Sequence, residues 1–164
     1  LRTPTALTRI PTVPAVALKT YSNARLGVSF SYPASWHALV GLKDSPADFG
    51  IATGASETRC AFLIERGAAP ADRSQESQFA FVRSRSASAA RSSKQYELRA
   101  IQAEKGVNIT GVGLIRVADG MGAHIGFFFR GADVYVFDCI TPATQLDQVD
   151  KQQFEPLLTS VRIG

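Results

Sequence analysis

Much of this chain alternates apolar and polar residues with a period of two. In Leu26-Gly-Val-Ser-Phe-Ser-Tyr-Pro33, Val28, Phe30 and Tyr32 alternate with small polar residues, as on a half-buried strand, and Pro33 closes the run. Trp36-His-Ala-Leu-Val40 predicts a second short strand, followed by a loop punctuated by Gly, Asp and Pro through about Gly54. Cys60 to Glu65 predicts a third. Between Asp72 and Ser93 the alternation stops, and Phe79, Val82, Ser86 and Ala89 fall at helical spacing, with Asp72 or Ser74 placed to cap the first free N–H groups.

The second half predicts a meander of strands at about 95–104, 107–117, 121–130 and 133–141. Turn signals stand at the joins: Lys105-Gly106, Asp119-Gly120 and Gly131-Ala132. If the last two are two-residue turns, the register follows. Arg130 then faces Asp133, Phe128 faces Tyr135 and His124 faces Cys139, giving one opposite-charge pair and one aromatic pair. Likewise Val112 faces Phe127, Leu114 faces Ile125, and Gly111 leaves room for the ring of Phe128. Phe154, Leu157, Leu158 and Val161 follow the i, i+3, i+4, i+7 rule of an amphipathic helix, with Asp147 as its expected N-cap. Pro156 predicts a kink or restart inside that helix, because it removes a backbone donor and crowds the preceding turn. Arg162-Ile163 are expected to leave as a short tail.

At 164 residues and 45% hydrophobic content the chain suits one core rather than two. Residues 1–20, with Pro4, Pro11 and Pro14 among Thr and Ala, show neither period and are expected to form a flexible Pro/Thr-rich leader ahead of a domain at 21–164. The chain opens on Leu1 with no signal-like segment, so a preceding signal or anchor is expected to be missing from it. No run approaches the ~20 apolar residues of a membrane-spanning helix. A net charge of +4, spread along the whole chain, gives no support for a nucleic-acid partner.

Candidate chemistry is sparse. Cys60 and Cys139 each sit inside an apolar run, where either buried thiols or one disulfide would fit; export would favour the bridge. Only His37 and His124 can carry protons near neutral pH, and neither lies in a nucleophile or acid–base motif. They are also the metal-ligand candidates, with Asp44, Asp48 and Asp138, but no spacing brings three ligands together. A His124–Cys139 pair could activate a thiolate, although both lie mid-strand among phenylalanines, where a packed interior pair is the simpler reading. Arg73, Arg83, Arg85 and Arg91 on the internal helix could meet an anionic surface; without interleaved aromatics a solvated face is the plainer account. The Gly111-x-Gly113 pair lies within a continuing strand, not at the strand-to-helix turn a nucleotide site needs.

The stretch Tyr21-Ser-Asn-Ala-Arg-Leu-Gly-Val-Ser-Phe-Ser-Tyr-Pro-Ala-Ser-Trp36 resembles the opening of PsbP-like domains. Gly131-Ala-Asp-Val-Tyr-Val-Phe-Asp-Cys-Ile-Thr-Pro142, continuing to Phe154-Glu-Pro-Leu-Leu-Thr-Ser-Val161, resembles their final strand and helix. The resemblance covers about residues 21–163. It implies an α+β fold, an α/β/α sandwich around a mainly antiparallel meander sheet with one long internal helix and a C-terminal helix. Cover on both faces is also what Phe127-Phe-Phe129 and Val134-Tyr-Val-Phe137 demand. The matching residues are structural, with Tyr32 and Trp36 as core anchors.

The resemblance further implies a noncatalytic accessory protein without a cofactor. The expectation is an exported, tethered binding or assembly module, acting through protein contacts with a partner in a cell-envelope assembly and reaching the membrane only through a missing N-terminal anchor. The alternative is a small-ligand or metal-binding sensor or carrier domain that uses the space between sheet and helix.

Overall fold

A computed structural model describes residues 16–39, 49–53, 57–92, 95–102, 110–118 and 120–164. Two antiparallel sheets organise them. The larger has seven strands in the order β3-β4-β5-β9-β8-β7-β6: β3 (Trp36–Leu39), β4 (Phe49–Thr53), β5 (Arg59–Glu65), β6 (Gln95–Gln102), β7 (Thr110–Ala118), β8 (Met121–Arg130) and β9 (Asp133–Pro142). The smaller has three, β1 (Leu18–Asn23), β2 (Val28–Pro33) and β10 (Arg162–Ile163), with β2 in the middle. The long helix α1 is Gln75–Ser92. The class is α+β.

The proposed registers are those of the sheet: Arg130 opposite Asp133, Phe128 opposite Tyr135, His124 opposite Cys139, Val112 opposite Phe127 and Leu114 opposite Ile125. Gly120 and Gly131 have positive φ, at 75° and 58°, which the tight turns require. The Arg130–Asp133 charge pair does not form. Arg66 takes the Asp133 carboxylate at 2.6 Å, the Gly67 N–H donates to its other oxygen, and Arg130 turns to the Ile163 carbonyl.

Three short strands escape the alternation pattern. Leu18–Thr20, expected in the leader, belong to β1; β4 falls in the expected loop; and Arg162-Ile163 pair with Ser29 and Val28 instead of trailing away. Only β10 depends on a distant partner, β2, more than 130 residues earlier; β1 pairs with the next strand, β2, and β4 with its sequence neighbours β3 and β5, so those two lack only a clear alternation of their own. The turn expected at Lys105-Gly106 lies outside the described residues.

Alternation divides the large sheet into two faces. Val112, Leu114, Phe127, Phe129 and Val134 face Val82 of α1, where Ser74 caps the helix by accepting from the Ser77 N–H at 3.2 Å. The opposite face carries Phe62, Phe128, Phe137 and the cysteines. It packs against Val28 and Phe30 of the small sheet and against the C-terminal helical run. Phe30 meets the Phe137 ring edge-on at 5.2 Å, and Trp36 is buried while donating its indole N–H to Gln153.

That run is a 3-10 turn (Ala143–Gln145), α2 (Leu146–Val149), a π-helical turn (Asp150–Phe154) and α3 (Glu155–Thr159). Asp147 lies inside it and caps nothing; the run begins one turn earlier, where the Ala143 N–H donates to the Gly120 carbonyl. Pro156 stands in the first turn of α3, immediately after the π turn, so the missing donor falls where the ladder has already changed pitch.

Strand β8 presents Gly122, His124, Gly126 and Phe128 to this run. A Cβ on Gly122 would lie 2.8 Å from Leu146, and one on Gly126 would lie 2.7 Å from Leu158 and 2.9 Å from Phe128. Gly126→Ala is therefore expected to cost about 1–3 kcal/mol, read by urea denaturation; an unchanged midpoint would show that the helix has room to retreat. The Gly67 N–H and Arg66 hold the Asp133 carboxyl below its ordinary 3.8. Its contribution is present above the unfolded-state pKa and lost as pH falls through the lower folded value. The stability gap between wild type and Asp133→Asn should accordingly shrink between neutral pH and about pH 2, as followed by thermal melts.

Candidate functional site

The two histidines lie far apart. His37 is exposed on β3, and His124 is buried on β8 with β4, β5 and β9 between them, roughly 19 Å away at ordinary strand spacing. Asp138 adjoins Cys139, the cross-strand partner of His124, and so occupies the opposite face of the sheet. Asp44 and Asp48 lie outside the described residues. Among those described, no three His, Cys, Asp or Glu side chains gather as metal ligands.

Cys60 and Cys139 are joined in a disulfide across β5 and β9. With both sulfurs bonded, the His124–Cys139 pair cannot be a thiolate centre. His124 is instead paired with Asp150, which stands in the first turn of the π segment: Nδ1 lies 2.5 Å from Oδ1, and both residues are buried. An ionised carboxylate can only accept, so it fixes the ring hydrogen on Nδ1 and leaves Nε2 as the working atom.

Nε2 has no hydrogen-bond partner among the described residues. The His124 side chain borders a cavity of about 390 Å³ between the edge strand β6 and α3, lined also by Arg99 and Ile101 from the sheet and by Glu155, Leu158 and Thr159 from the helix. The Nε of Arg99 is likewise buried and unpaired, while one terminal nitrogen reaches Glu97 only at 3.6 Å. A Cβ built on Gly113 would lie 2.7 Å from His124 Nε2 and 3.3 Å from Arg99 Cγ. The glycine thus gives both side chains their space. Chemically, this arrangement can accept or donate one proton at Nε2 and bind one negative charge at the guanidinium. With Nε2 unpartnered, no hydroxyl or thiol is hydrogen-bonded to it for activation as a nucleophile.

Among the described side chains, the arginines of and before α1 form no such constellation. Arg85 pairs with Glu65 at 2.8 Å and covers the Phe81 ring at 5.1 Å, Arg83 is exposed, and Arg73 lies ahead of the helix on a second cavity that also includes Arg130. Arg91 belongs to the C-terminal part of α1.

No protein-family model and no curated protein matches the sequence. Among solved structures, the cyanobacterial PsbP (CyanoP) of Synechocystis sp. PCC 6803 superposes with a TM-score of 0.62 at 17% identity, covering 96% of this chain and 99% of that one. The chain has a PsbP-like fold. The sequence resemblance at the two ends therefore marks a common architecture, and Trp36 is a buried anchor of that PsbP-like core while Tyr32 is half-buried against it.

Asp150 was not among the expected site residues. Its signal is an acidic side chain on the apolar stripe, four residues before Phe154 and four after Leu146. Arg99 carries no comparable signal, because a charged residue on an edge strand is ordinary. If Asp150 holds the ring as described, Asp150→Ala should cost about 3 kcal/mol or more in chemical denaturation by stranding a buried imidazole. Asp150→Asn, which keeps an acceptor for Nδ1–H, should cost distinctly less; equal losses would mean that the carboxyl group only fills space.

Proposed function

We propose that this domain is a noncatalytic accessory module that is exported, tethered by the segment around residues 1–20, and works through protein–protein contacts in a cell-envelope assembly. The observation that carries this reading is the PsbP-like fold over nearly the whole chain, shared with a cyanobacterial PsbP. The domain proper is residues 21–164, with its first strand starting slightly ahead, at Leu18.

Three observations bear on the reading. The Cys60–Cys139 bridge suits an oxidising compartment, where structural disulfides persist. No helix among the described residues is long and apolar enough to cross a membrane. The exposed Arg83, with Arg73 ahead of the helix, offers a basic patch for an anionic partner surface.

The test uses the protein in its producing cells. After fractionation, thiol labelling of denatured material should find no free thiol, and native electrophoresis with crosslinking should place the chain in an assembly with a second, envelope-located protein. A reduced, free monomer in the cytoplasm would overturn the proposal.

A further inference from the structure

We propose that the cavity between β6 and α3 is a binding site for a small aliphatic monocarboxylate, which shares a proton with His124 Nε2 and pairs with the guanidinium of Arg99. The two polar atoms left without partners at this place carry the inference. Nε2 belongs to a residue that is 2% exposed and lines the cavity, and a buried ring nitrogen with nothing to bond is costly unless a ligand completes it. The Nε–H of Arg99 is equally orphaned, and with a neighbouring terminal N–H it forms the planar fork that matches a carboxylate's two oxygens.

The remaining walls set the ligand class. Ile101 and Leu158 supply apolar surface for a short aliphatic chain, and about 390 Å³ suits a small molecule. Glu155 lines the helix side, so a dianion such as phosphate would meet a like charge there. Asp150 holds the ring hydrogen on Nδ1, so Nε2 is left to accept the single proton of the ligand's carboxyl group, whose oxygens then pair with Arg99. The inference does not depend on the accessory role.

The chain's two histidines make the experiment clean, because exposed His37 serves as an internal reference. Butyrate is titrated into the protein while the imidazole resonances are followed by NMR. A saturable shift of the His124 signals with His37 unmoved is expected, together with a rise in melting temperature. Arg99→Gln, a partly exposed edge-strand change that leaves the core intact, should weaken binding about tenfold or more, and butyramide should not bind. His124→Gln should abolish the thermal shift. No saturable His124 response, a response undiminished in Arg99→Gln, equal binding of inorganic phosphate, or a response to zinc chloride alone would overturn the proposal.

Discussion

The close seating of the C-terminal helical run on β8 is the constraint around which this protein is arranged. Gly122 and Gly126 remove the side chains that would hold the run away, Leu146 and Leu158 fill the space they leave, and His124 between them meets Asp150. A helix that close needs its polar groups matched. The buried His124–Asp150 hydrogen bond satisfies Nδ1 and Oδ1 where water is excluded, and breaking it from either side would strand the other. The π turn belongs to the same arrangement: it changes the pitch at Asp150–Phe154, and α3 restarts with Pro156 in its first turn and Leu157 and Leu158 buried.

The ordering of the site follows from this seating. His124 owes its burial to the helix above it, its free nitrogen to Asp150 occupying the other one, and its open side to Gly113, which lacks the carbon that would otherwise stand against the ring. A catalytic dyad would need a nucleophile against that nitrogen. Here Nε2 has no hydrogen-bond partner among the described residues, and the adjoining cavity is lined by Arg99, Ile101, Glu155, Leu158 and Thr159.

How much of this could be read along the chain depended on the range of the interaction. The hairpins from Thr110 to Pro142 were legible to the residue, since two-residue turns lock register to alternation and Gly111 advertised the Phe128 ring it accommodates. The break at Pro156 was legible because proline acts on its own turn. Strand β10 was not: two residues beside β2 acquire their pairing from a partner more than 130 positions earlier. The Arg130–Asp133 contact failed for a related reason, as Arg66 and the Gly67 N–H, far away in sequence, outbid a cross-strand neighbour. The site itself needed Asp150, Gly113 and Arg99 in one place. Only the misplaced acidic residue on an apolar stripe hinted at it.

The pairing of β5 with β9 joins the first half of the large sheet to its meander, across a separation of 79 residues at the disulfide. Hairpins close quickly because their ends start near each other, whereas this junction must be found by a long stretch of chain. With the bridge intact, the unfolded chain never loses that encounter: Cys60 stays beside Cys139, and the neighbouring Phe62–Phe137 pair remains close to its final register. The covalent link thereby converts the most distant contact of the sheet into a local one, and the oxidised chain searches a smaller conformational space each time it refolds.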